Sequence, residues 1–212
     1  MINMVDVGYT GEINPSWKRH IDKIDHLLSF NPLIKSFSST QHCHLQLAIT
    51  DEPNARPKDF NVYHKKACSS LFKVDKNILA IRPGDPDDMK LDRVIKVGCS
   101  RLDELLDTID VKFNYLRIDT QGSDFAVIKS LGKYLEDMWA IETEFFFERF
   151  YEGAPMGDVI YDYLEEAGCF KLVGNLRKPN NLFGDFLFIN TNAPKEFLNF
   201  MERLYKCKVS SV

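Results

Sequence analysis

The alternation of short apolar runs with stretches of helical periodicity constrains the fold of this chain more than any other feature. Strand-like runs occupy residues 2–7, 26–30, 44–49, 94–97, 115–118 and 139–147. Helical patterns occupy residues 15–24, 102–109, 124–135, 156–167 and 194–205. This alternation predicts an α/β fold with a mostly parallel central sheet and helices on both faces. Two further strand-like runs, residues 170–174 and 182–189, predict an antiparallel pair at one edge of the sheet.

Two segments carry weaker patterns. After Pro15, the residues Trp17, Ile21 and Ile24 recur at helical spacing and predict the first helix. Residues 52–92 are rich in Pro, Asp, Asn and Lys, and they predict loops and short strands.

Size and composition predict one domain over residues 1–212. With 44% hydrophobic residues, the chain can fill a core without disulfides or a structural metal. A net charge of -4 gives no support for binding to nucleic acid. Five widely spaced cysteines, at positions 43, 68, 99, 169 and 207, fit a reducing cytoplasm better than a disulfide framework. No signal-peptide pattern and no membrane-spanning run stands out, so we expect a cytoplasmic protein without a membrane partner.

A glycine-containing turn, Asp6-Val7-Gly8-Tyr9-Thr10-Gly11, follows the first strand and precedes the first helical pattern. Glycines let the backbone approach a ligand closely and adopt dihedral angles closed to other residues. In parallel α/β sheets the ligand crevice lies beyond the carboxyl ends of the strands. Glu12 stands where a phosphate-binding loop would place a lysine, which disfavours a phosphate ligand. The alternative is a plain tight turn between strand and helix.

Asn31 ends the second strand, at a position where dinucleotide sites place an acidic residue that binds ribose hydroxyls. Its amide can also pair with hydroxyls, but without charge assistance. The alternative is a structural Asn-Pro turn with Pro32.

Carboxylates follow or interrupt two later strands. Asp119 stands directly after an apolar strand, where an ionised side chain can act as a general base or ligate a cation. Glu142 and Glu144 share one face of the next strand, because successive side chains alternate. Buried carboxylates need a partner or water, so at least one of the two is a site candidate, and Glu144 lies nearer the carboxyl end of its strand.

Several segments together resemble the FkbM-type methyltransferase family. The segments in question are Val5-Asp6-Val7-Gly8 with Gly11, Phe30-Asn31-Pro32, Ala48-Ile49-Thr50-Asp51, Ser69-Ser70-Leu71, Arg101-Leu102-Asp103-Glu104-Leu105, Leu116 to Asp124, and Ile141-Glu142-Thr143-Glu144 followed by Tyr151-Glu152-Gly153. Their order and spacing fit from residue 4 to about residue 190. The resemblance implies a Rossmann-like class I methyltransferase fold with an antiparallel edge strand.

The resemblance also implies S-adenosylmethionine as cofactor and methylation of a hydroxyl on a sugar, glycan or secondary metabolite. The implied cofactor residues are Asp6, Gly8, Tyr9, Gly11, Asn31 and Asp51. The implied transfer site consists of Asp119, Gln121 and Glu144. The sequence departs from the family at two positions, because the family usually has Glu in place of Asn31 and frequently has Glu in place of Gln121.

Two mechanisms and two other functions stay open at the level of sequence. Asp119 could remove the proton of a hydroxyl that is held against the methyl group, or a divalent cation held by Asp119 and Glu144 could acidify that hydroxyl. No metal ligand set is predicted from spacing. The other functions are a Rossmann-like binding module that has lost catalysis, and a nicotinamide-dependent oxidoreductase, although the glycine pattern is not GxGxxG. The oligomeric state is open.

Overall fold

The computed structural model describes residues 1–78, 84–176 and 182–206 of this chain. The described strands are β1 (Ile2–Val7), β2 (Ile24–Phe30), β3 (Phe37–Ser38), β4 (His42–Leu45), β5 (Ala48–Ile49), β6 (Lys58–Tyr63), β7 (Leu91–Val97), β8 (Cys99–Ser100), β9 (Tyr115–Ile118), β10 (Ala140–Phe146), β11 (Phe170–Asn175) and β12 (Phe183–Asn190). The described α-helices are α1 (Leu102–Leu106), α2 (Asp124–Lys129), α3 (Gly157–Glu166) and α4 (Lys195–Tyr205).

Eight strands form one large sheet in the spatial order β11-β12-β10-β9-β1-β2-β4-β3. The five strands from β10 to β4 in this order run parallel to one another. β12 pairs antiparallel with both β10 and β11, and β3 pairs antiparallel with β4 at the opposite edge. The prediction of a mixed α/β protein with a large, mostly parallel sheet and packed helices is confirmed.

The two faces of the sheet bury different side chains because neighbouring residues of a strand point to opposite sides. Val5, Leu116 and Ile141 pack in one core with residues of α1, α2 and α3. Met4 and Tyr115, each one residue away, pack on the other face in a core that includes residues of α4. At the carboxyl ends of the strands, this second face carries charged residues in place of apolar ones.

The first predicted helix is corrected by the structure. A 3₁₀-helix at Lys18–Lys23 replaces it, and Ile21 is 61% exposed, so Ile21 is not part of an apolar face. Trp17 is fully buried, and its indole N–H donates to the hydroxyl of Tyr205 in α4. His20, with φ -130° and ψ 21°, breaks the helical backbone inside the 3₁₀-helical segment, and β2 begins directly after that segment.

The predicted strand at residues 44–49 is also corrected, because the chain changes sheets within it. β4 ends at Leu45, the amide of Leu47 donates to the carbonyl of Leu45, and β5 then pairs in parallel with β8. The helix predicted at residues 124–135 ends at Lys129 and continues as a 3₁₀-helix at Gly132–Tyr134. The loop at residues 177–181, which connects the antiparallel pair, and Cys207 lie outside the described residues.

Residues 52–100 add a small sheet beside the carboxyl ends of the main strands. β6 and β7 pair antiparallel, and β6 also bridges to Ser70. Phe60 and Val62 of β6 pack with Ala48 of β5, which lies next to the end of β4. β6 and β7, with the described residues that pack on them, therefore form one wall above the main sheet.

Trp17 and Ile21 provide a matched test of this fold, because the sequence pattern treats them alike and the structure does not. Trp17→Ala should lower the free energy of unfolding by about 3–5 kcal/mol, since it removes a fully buried aromatic side chain. Ile21→Ala should change it by no more than about 0.5 kcal/mol, because that side chain is exposed. Urea unfolding followed by circular dichroism measures both values, and equal losses would contradict the described packing.

Candidate functional site

The candidate site lies where the order of the strands in the sheet reverses. From β1 the chain adds β2 and β4 on one side, and later adds β9 and β10 on the other. β1 and β9 are parallel neighbours, so the loops after Val7 and Ile118 leave the same edge of the sheet. Open α/β sheets bind ligands beyond the carboxyl ends of the strands at such a reversal point.

A cavity of about 380 Å³ opens at this edge of the sheet. Its size lies within the range of roughly 300–1,000 Å³ that is typical of small-molecule sites. Its walls come from the loops after β1, β2 and β9, from β5, and from residues between Lys66 and Leu71. Apolar side chains form most of the lining, and Asp119 is the one carboxylate among the described lining residues. The cavity therefore combines an apolar lining with several polar groups and one carboxylate, as small-molecule sites commonly do.

Gly8 brings the two central loops into backbone contact. Its φ is +97°, and a Cβ atom at this position would lie 1.9 Å from the carbonyl oxygen of Asp119. The amide of Asp119 donates to the carbonyl of Val7 at 2.9 Å, which continues the pairing of β1 and β9 into the loops. Any side chain at position 8 would push these loops apart, so the glycine is required for this edge to close.

Asn31 joins the glycine turn to the end of β2. Its Nδ2 donates to the carbonyl of Tyr9 at 2.7 Å, and its Oδ1 accepts from the amide of Leu33 at 2.8 Å. A carboxylate at this position could not donate to that carbonyl. Asn31 also lines the cavity. The structure thus gives Asn31 the turn-forming role and places it where a ligand would meet it.

The remaining expected cofactor residues lie at different distances from the cavity. Gly11 has a φ of +98° and is exposed, and Tyr9 is buried with its ring 5.2 Å from that of His42. Asp51 does not line the cavity, and Lys129 Nζ lies 2.6 Å from one of its carboxylate oxygens. That lysine lowers the pKa of Asp51.

A buried guanidinium connects the carboxylates beneath the site. Arg117 in β9 donates from Nη1 to Asp6 and from Nη2 to Asp119, each at 3.1 Å. Its Nε lies 3.7 Å from Glu142 Oε1. The strand register brings these residues together, because Arg117 is paired with Asp6 on one side and with Glu142 on the other.

Burial and charge act in opposite directions in this network. Burial raises the pKa of Asp6, and the neighbouring guanidinium partly opposes that rise. Burial also disfavours the charged form of Arg117, but Asp6, Asp119 and Glu142 outweigh it and raise its pKa well above the usual value. Arg117 is therefore a permanent cation that compensates several carboxylates.

Glu142 is held by structural contacts on the side away from the cavity. Its Oε2 accepts hydrogen bonds from the hydroxyls of Tyr115 at 2.8 Å and Tyr205 at 2.7 Å. The hydroxyl of Tyr205 also accepts from Trp17. Glu142 thus links the sheet to the C-terminal helix and does not line the cavity.

Gln121 bridges the two carboxylates predicted for the transfer site. Its Nε2 donates to Asp119 Oδ1 and to Glu144 Oε2, each at 2.8 Å. Its Oε1 accepts from the hydroxyl of Tyr151 at 2.8 Å. The structure therefore brings the three predicted residues, Asp119, Gln121 and Glu144, into one connected group.

Two buried acids beside Asp119 have raised pKa values. Burial is the main cause for Glu144, whose pKa is raised well above the usual value, and the neighbouring charges of Asp119, Asp124 and Asp185 add to it. Burial and Asp119 raise the pKa of Asp124 to about 6, although Gly122 and Thr120 donate hydrogen bonds to it. Glu144 is thus disposed to hold a proton while Asp119 faces the cavity.

Sequence reasoning missed three residues of this group, namely Arg117, Asp124 and Tyr151. A signal existed for Arg117, because an arginine stands inside an otherwise apolar strand beside Leu116 and Ile118. Asp124 and Tyr151 stand in segments that carry the family resemblance, but sequence reasoning assigned neither of them a role in the site. The partners of Arg117 and Tyr151 include residues on distant segments, so local patterns carried no signal for those contacts.

The described part of the chain contains no group of three or more His, Cys, Asp or Glu side chains arranged to hold a metal ion. None of the helices within the described ranges combines the length and apolar character that a membrane span requires.

One comparison with known proteins identifies a family. A family model described as the methyltransferase FkbM domain matches residues 11–169, which is more than half of the chain. No curated protein and no solved structure matches the chain at a significant level. The match begins after Gly8, so the roles of Asp6 and Gly8 depend on the geometry described above.

Replacing Arg117 tests whether it compensates the buried carboxylates. Arg117→Met should lower the free energy of unfolding by about 3–5 kcal/mol at neutral pH, because it leaves buried acids without their cation. The folded-state pKa of Asp6, already raised, should rise further, so the loss should shrink as the pH falls and the acids take up protons. Urea unfolding at several pH values measures the loss in the free energy of unfolding and its change with pH. Arg93→Met, which removes an exposed arginine, serves as control, and a pH-independent loss would contradict the network.

Proposed function

The chain belongs to the FkbM methyltransferase family, and we propose that it transfers a methyl group from S-adenosylmethionine to a hydroxyl of a sugar, glycan or secondary metabolite. One observation carries the proposal: Asp119 is the carboxylate that lines the cavity at the reversal point of the sheet. The family match does not favour an oxidoreductase or a binding module that has lost catalysis.

The cavity fits the proposed cofactor in position and in chemistry. S-adenosylmethionine supplies, when bound, an electrophilic methyl group on a positively charged sulfonium. Asp119 in the cavity wall and Asp6 beneath it share the one guanidinium of Arg117, so the acids outnumber the cation, which favours a positively charged ligand there. Gly8 and Asn31 line the cavity and would contact the cofactor directly. The Rossmann-like fold class belongs to the same proposal and is supported by the strand order.

The other expected cofactor residues would act from behind those that line the cavity. Tyr9, within the glycine turn, packs its ring against that of His42, Gly11 ends the turn, and Asp6 would act through Arg117. Asp51 would hold the loop after β5 through Lys129. A reducing, cytoplasmic setting is also proposed, on the basis of the unbridged thiols of Cys43, Cys99 and Cys169.

Asp119 is proposed as the general base that accepts the proton of the acceptor hydroxyl. One of its oxygens accepts from Arg117 and the other from Gln121, which together fix the carboxylate plane. Its side chain is 33% exposed and is thus accessible from the cavity. The main contribution of the protein to the reaction is then positioning of the hydroxyl and removal of its proton.

Binding of the cofactor product tests the proposed cavity. S-adenosylhomocysteine at about a hundred times its dissociation constant should stabilise the fold by about 2.7 kcal/mol and raise the melting temperature by about 5–10 °C. Ala67→Trp should abolish this shift, because Ala67 is exposed yet lines the cavity. His64→Trp, three residues earlier in the same loop and outside the lining, should retain it. Absence of a shift in the wild-type protein would overturn the proposed cofactor.

Removal of the proposed base separates catalysis from binding. Asp119→Asn should retain the thermal shift with S-adenosylhomocysteine but reduce methyl transfer about 10²–10⁴-fold, because the amide cannot accept the proton. Transfer of radiolabelled methyl from S-adenosylmethionine to a screen of sugars, glycans and small hydroxyl compounds is the measurement. Full activity of the variant on an acceptor found in this way would show that Asp119 is not the base.

A further inference from the structure

We infer that Gln121 is a positioning residue whose carboxamide holds Asp119 and Glu144 in place by donating to both, so that the transfer site is organised without a metal ion. The inference rests on the proposed function only where it assigns these residues to methyl transfer. The contacts themselves are independent of the cofactor. An amide nitrogen occupies the position between the two carboxyl groups, at 2.8 Å from an oxygen of each.

The orientation of the carboxamide follows from its three partners. Both N–H bonds of Nε2 are used, one for Asp119 and one for Glu144. Oε1 faces the hydroxyl of Tyr151, which can donate to it. The flipped amide would place Oε1 against the carboxylate oxygen of Asp119, and this would replace attraction with repulsion. The amide nitrogen has no lone pair for a metal ion, so the group provides donors where a cation would need acceptors.

The backbone of Gln121 is held in a costly conformation by contacts of its own. Its φ is +59°, which is uncommon for a residue with a side chain, and Gly122 follows at +106°. The carbonyl of Gln121 accepts from Ser70 Oγ at 2.6 Å. Tyr151, which orients the amide, also lies 3.0 Å from the carbonyl of Cys68 through its hydroxyl oxygen. The segment between Cys68 and Ser70 thus fixes both the backbone and the side chain of Gln121.

The charges around the amide explain why a neutral donor is needed there. Asp119, Asp124, Glu144 and Asp185 all act on this space, and Arg117 is the cation that faces Asp119. A fifth carboxylate, at position 121, would require a bound proton or a bound cation to be tolerated. Two N–H donors stabilise Asp119 and Glu144 without adding charge.

A comparison of Gln121→Glu with Gln121→Ala separates the effect of adding a charge from the effect of removing the side chain. Gln121→Glu adds a carboxylate whose folded-state pKa is raised, so its melting temperature should fall further below that of the wild type as the pH rises from about 5 to about 8. Millimolar MnCl₂ should raise the melting temperature of Gln121→Glu by several degrees at the higher pH. It should not change the melting temperature of the wild type or of Gln121→Ala. The Mn²⁺ electron paramagnetic resonance signal should show bound metal in Gln121→Glu alone.

Three results would overturn the inference. One is a Gln121→Glu variant whose melting temperature changes with pH as that of the wild type does and does not respond to MnCl₂. Another is Mn²⁺ binding by the wild-type protein at this concentration. The third is loss of wild-type methyl transfer on addition of a chelator. The melting and resonance measurements need no cofactor, so a failure of S-adenosylhomocysteine to bind would overturn the proposed function while leaving this inference under its own test.

Discussion

The ion network of Arg117 is the interaction on which the rest of the site depends. A guanidinium buried in the centre of a sheet is stable only because Asp6, Asp119 and Glu142 surround it, and those acids are tolerated only because of the guanidinium. Asp6 and Glu142 lie in β1 and β10, the two neighbours of β9, and Asp119 lies in the loop after β9. The network therefore ties the glycine turn, the cavity carboxylate and the C-terminal helix, through Tyr205, into one unit.

Close backbone contact determines the shape of the cavity around this network. The contact between Gly8 and the carbonyl of Asp119 leaves no room for a side chain, and Asn31 holds the next loop to the same turn. The carboxylate of Asp119 is consequently presented at the inner wall, with donors fixing both of its oxygens. Gln121 extends this rigid arrangement to Glu144 by donating a hydrogen bond to it. The FkbM methyltransferase domain of this chain thus contains a defined group of acids beside the cavity.

The sequence predicted much of the fold and part of the site. The strands at residues 2–7 and 115–118 have the predicted bounds. The structure brings Asp119, Gln121 and Glu144 into contact, and their role in methyl transfer stays a prediction. The helix predicted from Trp17 and Ile21 was wrong, because a break in the helical backbone and the early start of β2 outweighed a helical spacing. Whether the predicted site residues bind a cofactor stays a prediction.

By itself, the sequence determined the alternation of strands and helices and the loops in which glycines and acids stand. These features are local, because they depend on the period of the backbone and on the conformations open to single residues. Only the tertiary structure decided that Arg117 meets Asp6, 111 residues away, and that Gln121 lies between two acids. Such contacts follow from the register between strands that are distant in the chain, and no local pattern encodes that register.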